Sequence, residues 1–201
     1  MTITYVVENG LYINMTNRCT NRCDFCIRKN GDGAYGSDSL WLDREPTKEE
    51  VWEAIVASGA EKYREIVFCG YGEPTCRLDD MLWVCDQIRQ YYPAMKIRLN
   101  TNGHASLIHG HDVASRFFGR FDIISISLNA PSAAEYDAIC HSRFGEQAFG
   151  GMFEFAKAVK AYVPQVVFSV VRQFLSPNAL EQSKALCDEI GVALKVREYI
   201  S

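Results

Sequence analysis

Residues 65–103 read EIVFCGYGEPTCRLDDMLWVCDQIRQYYPAMKIRLNTNG. The stretch opens on Glu65-Ile66-Val67-Phe68-Cys69 and closes on Lys96-Ile97-Arg98-Leu99, two apolar, β-branched runs too short for helices and expected as strands. Between them, Asp79 starts a helical pattern that ends before Pro93, with Met81, Cys85 and Ile88 on one face. A strand, a helix and a second strand in succession form the unit from which parallel sheets are built.

The same alternation extends in both directions. Further strands are expected at 11–15, 121–127, 166–171 and 193–196, with helical segments between them. Thr47 with Glu50 and Ser132 with Glu135 read as capping boxes, Asn178 as the cap of the last helix and Gly191 as its left-handed terminator. Six strands alternating with six helices imply parallel pairing through right-handed crossovers. Six units are too few to close an eight-stranded barrel. The expected fold class is therefore α/β: a single-domain (β/α)6 partial, open TIM-like barrel spanning 1–201. Its ligands should lie at the carboxyl ends of the strands. A Gly-rich loop, 29–46, interrupts the pattern after the first of these strands, with glycines at 31, 33 and 36 and an apolar cluster at 40–42.

The 201 residues are 48% apolar, enough for one full core. A net charge of −4 gives no global field for a polyanion, so no broad nucleic-acid-binding surface is expected, and a nucleotide substrate would need a local site. Residues 1–9 are too polar and short for a signal peptide, and no apolar run approaches a membrane span, so a cytoplasmic protein is expected. The eight cysteines then read as reduced thiols rather than a disulfide framework, with Cys85 and Cys187 as small core hydrophobes. Cys69, Cys76 and Cys140 lie near strand ends or loops. A structural or incidental role is the first reading for them, a second cluster or a hydrogen donor the alternatives.

Cys19, Cys23 and Cys26 are spaced C-x3-C-x2-C, directly behind the strand at 11–15. Three thiolates can hold three irons of a cubane cluster and leave the fourth open to a small molecule; a zinc site completed by a distant Cys69 or Cys76 is the alternative. At the end of the next strand stands Gly70-Tyr71-Gly72-Glu73-Pro74, then Asn100-Thr101-Asn102-Gly103, then Ser125-Ile126-Ser127-Leu128-Asn129, and Arg172 follows the fifth strand. Each also has an ordinary reading as a turn, a strand end or a surface residue.

In this order the motifs resemble the radical S-adenosylmethionine (radical SAM) superfamily, over nearly the whole chain. The stretch TNRCTNRCDFCIR followed by GDGAYGSDSLWL is similar to the small TatD-associated radical SAM proteins. The resemblance implies a [4Fe-4S] cluster on Cys19, Cys23 and Cys26, with S-adenosyl-L-methionine on its free iron. It further implies that Phe25 packs beside adenine or shields the cluster. Gly70, Gly72 and Glu73 would receive the methionine ammonium, Asn100 the methionine part, Ser127 and Asn129 the ribose or carboxylate, and Arg172 the carboxylate. The implied activity is reductive cleavage to a 5′-deoxyadenosyl radical that abstracts hydrogen from an unidentified substrate, using electrons from a flavodoxin- or ferredoxin-like donor. An activase that installs a radical on a partner protein and a noncatalytic metal-binding module are the alternatives. One cluster is expected, and the loop at 31–42 is expected to lie over the mouth and to order on ligand binding.

Overall fold

A computed structural model describes residues 1–198. Seven strands form one sheet in sequential order: β1 (Thr4–Val7), β2 (Gly10–Ile13), β3 (Glu65–Phe68), β4 (Lys96–Thr101), β5 (Ile123–Ser127), β6 (Gln165–Val171) and β7 (Ala193–Arg197). From β2 to β7 every pairing is parallel, as the alternating sequence requires. β1 is an addition to the expected set. It pairs antiparallel with β2, Val7 opposite Gly10, across a two-residue turn in which Glu8 takes a positive φ of 51°. Asn9-Gly10 at the end of that turn is the local signal that marks a hairpin here.

The crossovers carry α1 (Lys48–Ala57), α2 (Leu78–Tyr91), α3 (Ala105–His109), α4 (Ala133–Cys140), α5 (Gln147–Val159) and α6 (Pro177–Glu189). α4 and α5 share the single connection between β5 and β6, whereas α3 is little more than one turn. Thr47 caps α1 with the full reciprocal box, whereas at the start of α4 only half of the expected box forms: Ser132 Oγ accepts from Glu135 N, and the Glu135 side chain does not bond back. α6 begins one step earlier than Asn178 suggests. Ser176 is the cap, its hydroxyl accepting from Ala179 N, because Pro177 has its φ already set for the first helical position and lacks the N–H that would go unpaired there. Gly191 (φ 62°) ends the helix as expected: Val192 N bonds Cys187 O and Gly191 N bonds Asp188 O, the paired contacts of a Schellman stop.

Period-two alternation divides each parallel strand between two environments. Leu11 and Ile13, Ile66 and Phe68, Ile97 and Leu99, and Ile124 and Ile126 are buried against the helices, where Val51, Ile55, Met81, Cys85, Ile88, Phe155 and Cys187 complete the core. The intervening positions, among them Tyr12, Glu65, Cys69, Arg98, Asn100, Ser125 and Ser127, line a cavity on the other face. A closed barrel fills this space with branched apolar side chains. Here it is hollow, and polar side chains are interspersed among the apolar ones.

Candidate cluster and cofactor site

The cavity, of about 1100 Å³, is lined by Cys19, Cys23 and Cys26, by Phe25, by Gly70, Gly72 and Glu73 after β3, by Asn100 on β4, by Ser127 on β5 and by Asn129 just beyond it. Residues from four separate stretches thus meet at the carboxyl ends of the strands. Arg172 is not among the lining residues. It stands in a 3-10 turn beyond β6, more than half exposed, with Nε 3.1 Å from Glu198 Oε1. The cations that do line the cavity include Arg98, Lys195 and Arg197. Tyr199, Ile200 and Ser201 lie outside the described residues.

The cysteine loop is docked by its own backbone. Arg22 N and Asp24 N bond Cys140 O and Ile139 O at the end of α4, and Arg143 N bonds Thr20 O. Beneath it runs a buried polar chain. Asn102 Nδ2 donates to Thr20 Oγ1 (2.9 Å), Thr20 Oγ1 lies 3.2 Å from His104 Nδ1, His104 Nε2 lies 3.3 Å from Tyr136 OH, and Asn21 Nδ2 donates to that phenol at 2.9 Å. Since Thr20 accepts from Asn102, its proton is free for His104 Nδ1, which leaves the imidazole proton on Nε2 for Tyr136.

Burial lowers the His104 pKa to about 4, so the ring is neutral at pH 7. A histidine that holds fewer protons folded than unfolded gives stability that is complete above its ordinary pKa and is lost as pH falls towards the folded value. Wild-type stability should therefore drop by about 3 kcal/mol more than that of His104→Gln between about pH 7 and pH 4, read by urea unfolding. Parallel pH profiles of the two proteins would refute the assignment.

Glu73 joins the second and third motifs. Its Oε1 accepts from Thr75 N (3.1 Å), Thr75 Oγ1 (2.7 Å) and Thr101 Oγ1 (2.7 Å), while Oε2 accepts from Asn102 N at 2.7 Å. Burial pushes this carboxyl up, and the four hydrogen bonds act against that shift. Oε2, with one donor, keeps capacity for another. The two glycines line the cavity and also meet a packing need. A Cβ on Gly70 would fall 2.3 Å from Asn14 Oδ1, and one on Gly72 2.2 Å from Thr16 O and 2.6 Å from Arg18 O. What approaches these glycines is the protein's own chain at the foot of the cysteine loop.

The remaining predicted positions have clear surroundings. Phe25 stacks on Phe174 with ring centroids 4.8 Å apart. Asn100 hydrogen-bonds the Cys69 thiol. Asn129 is held at φ 61°, and its amide donates to Cys140 Sγ at 3.6 Å. Cys140 itself sits against Cys23: that hydrogen bond, with burial, raises the Cys23 pKa, while bonds from Cys23, Asn129 and Tyr136 hold Cys140 below its ordinary value. His109 Nε2 lies 3.0 Å from Thr75 O, and His111 Nδ1 2.8 Å from His109 O.

The loop at 29–46 is fastened to the segment that carries the cysteines and to the turn after β3. Asn14 Nδ2 donates to Leu40 O (2.7 Å), and Asn17 brackets Leu42, donating to its carbonyl and accepting from its N–H. Tyr71 OH donates to Gly31 O at 2.8 Å, and Leu40, Ala34, Tyr5 and Tyr71 form a small apolar cluster apart from the main core. Sequence reasoning does not single out Asn14 or Asn17, since nothing local marks an asparagine whose partner lies 25 residues away.

The donor set suits an iron–sulfur cluster. The three thiols line the wall separately, and Cys19 Sγ receives Asn21 N at 3.4 Å with Asn102 Nδ2 at 4.0 Å, the N–H contacts that stabilise a thiolate ligand. Among the described residues no three His, Cys, Asp or Glu side chains converge closely enough to hold a single metal ion.

The Radical SAM superfamily model matches residues 13–187, and the chain belongs to that superfamily, a class of enzymes that use a [4Fe-4S] cluster and S-adenosylmethionine. Among curated proteins it is 30% identical over 101 residues to the 5-amino-6-(D-ribitylamino)uracil–L-tyrosine 4-hydroxyphenyl transferase of Nostoc sp., a match covering 48% of this chain and 24% of that one. Among solved structures it resembles a radical SAM methyltransferase from Sphaerobacter thermophilus, at 17% identity and a TM-score of 0.68, over 96% of this chain and 57% of the other. It also resembles methylornithine synthase, at 12% identity and a TM-score of 0.63, over 95% and 53%. The chain thus spans about a quarter of its curated relatives and about half of these structures, and the structural likenesses bear on the fold.

Proposed function

We propose that this chain is a radical SAM enzyme acting on a small molecule held inside the cavity. The supporting observation is that the three cysteines, Glu73 and inward-facing polar residues of the strands share one cavity. When bound, the cluster and S-adenosylmethionine supply reductive cleavage of the sulfonium and a 5′-deoxyadenosyl radical able to take hydrogen from a substrate. In this reading Cys19, Cys23 and Cys26 are the cluster ligands, and Glu73 Oε2 accepts from the methionine ammonium. Asn100, Ser127 and Asn129 offer hydrogen bonds to the rest of the cofactor, and Phe25, backed by Phe174, shields the cluster from water. The docked loop, through Ala34, Tyr35 and Leu40, closes one side of the chamber and keeps water from a reactive intermediate.

A cavity with room for a second molecule beside the cofactor favours a small substrate over a glycine of a partner protein. The electron source in this reading is a flavodoxin- or ferredoxin-like donor, and Arg22 and Arg28 are the cations of the cysteine segment that no carboxylate pairs among the described residues.

The test is anaerobic cluster reconstitution, reduction with dithionite in the presence of S-adenosylmethionine, and chromatography for 5′-deoxyadenosine and methionine. Formation of both is expected. A protein that takes up four irons, binds the cofactor and leaves it intact would overturn the reading.

A further inference from the structure

Few buried side-chain polar atoms in this protein lack a partner, and they are not scattered. Among the described residues they are Asn21 Oδ1, Arg98 Nε, Arg197 Nε and Arg120 Nε, and the last lies 2.8 Å from Asp86 Oδ1 in an ion pair. The other three all belong to residues lining the cavity. Folded proteins leave buried donors unmatched rarely, and a cluster of them around one space indicates a partner that is not part of the chain.

Two of the three are guanidinium nitrogens, which can only donate and stay charged. Arg98 stands on the cavity side of β4, in phase with Asn100. Its Nη2 is shared between Glu65 Oε1 (2.9 Å) and Tyr12 OH (3.0 Å). Because that phenol oxygen accepts from Arg98, its own proton remains free to donate. Arg197, on the cavity side of β7, and Lys195 two residues before it have no carboxylate partner among the described residues. Both arginines lie close enough to the Cys69 thiol to lower its pKa against burial, so they address the same part of the chamber from different strands. Of the four carboxylates lining the cavity, three are already engaged: Glu65 with Arg98, Glu73 with its four donors, Glu198 with Arg172 and Gln173, while Glu8, in the β1–β2 turn, acts with Arg197 on Tyr35.

We propose that the space between Arg98 and Arg197 is a subsite for an anionic group, a carboxylate or a phosphate, carried by the substrate. Where it concerns a substrate, the proposal rests on the reading of the cavity as a radical enzyme's chamber. Its β4 side is set apart from the expected place of the cofactor's methionine part. Arg98 precedes Asn102, whose N–H meets Glu73, by four residues along β4 and its exit, a rise of about 13 Å. The cavity, at about 1100 Å³, exceeds what one ligand of ordinary size requires, so a second molecule fits beside the cofactor.

The experiment is calorimetric titration of the cluster-loaded protein with sodium phosphate, and separately with sodium malonate, at constant ionic strength. At least one anion should bind, and Arg197→Gln should weaken it by about tenfold or more. Arg197 has no ion pair among the described residues, so this variant should keep its fold, and Arg98→Lys provides the matching change on β4. Binding of phosphate alone identifies a phosphorylated substrate, and binding of malonate alone a carboxylated one. The proposal falls if neither anion binds, if Arg197→Gln binds as wild type does, or if Arg197→Gln loses S-adenosylmethionine affinity by the same factor. Anion binding needs no radical chemistry. Phosphate held by Arg197 in a protein that never cleaves the cofactor would sink the proposed function and leave the subsite standing.

Discussion

Gly72→Ala should strip the protein of its iron although it changes no ligand. A methyl group at this position would enter the backbone of the cysteine loop, 2.2 Å from Thr16 O and 2.6 Å from Arg18 O, and no rotamer change can relieve a clash with main-chain oxygens. Overpacking of this kind costs about 3 kcal/mol. The strain has one direct outlet, lifting residues 16–18 away from the turn after β3. That movement would also break the bond from Glu73 N to Arg18 O (2.7 Å) and displace Cys19 next in line. Iron per chain after anaerobic reconstitution should fall to less than about a third of wild type, with the midpoint of urea unfolding lowered. Full iron content in a folded variant would show that the turn and the cysteine loop are not coupled as described.

Glu73→Gln should be nearly as damaging, for a chemical reason rather than a steric one. The carboxylate accepts four hydrogen bonds and donates none. An amide with its oxygen facing Thr75 and Thr101 must point its NH2 at the N–H of Asn102, so two donors face each other. The reverse orientation is worse, since three donors then lose their acceptor. An unsatisfied buried group costs about 1–3 kcal/mol, so a loss of about 2 kcal/mol in folding stability is expected. The free capacity of Oε2, on which ammonium binding depends in the proposed function, disappears with the charge. S-adenosylmethionine affinity should fall by about a hundredfold. A variant with wild-type cofactor affinity would leave Glu73 as a purely structural brace.

Sequence revealed most where the governing interactions are local. The box at Thr47 and Glu50, the cap at Ser132, the stop at Gly191 and the strand–helix alternation each rest on residues within a few positions of one another, and all are present in the structure. The two local misreadings have local causes. Asn9-Gly10 announces the β1–β2 hairpin, and Pro177 moves the α6 cap to Ser176. The triad of cysteines was legible because one loop carries all three. Its supports were not: Asn21 meets Tyr136 across 115 positions and Thr20 meets His104 across 84, and no spacing rule reaches so far. Arg172 and Arg98 illustrate another gap. Position at a strand end favoured Arg172, which the 3-10 turn carries outward, whereas two-residue phase with Asn100 marks Arg98 as facing the interior.

The fastening of the Gly-rich loop has a mechanical consequence. Its last residues are tied not to the rim but to the stem that bears the cysteines: Leu40 to Asn14, Leu42 to Asn17, and Glu45 to both Thr16 and Arg18. A guest molecule that presses outward on Tyr35 or Leu40 therefore pulls on the cysteine-bearing segment itself, where the proposed function places the cluster. The lid and the metal centre behave as a lever and its gauge, and paramagnetic resonance of the reduced centre should register occupancy of the chamber before any bond is broken.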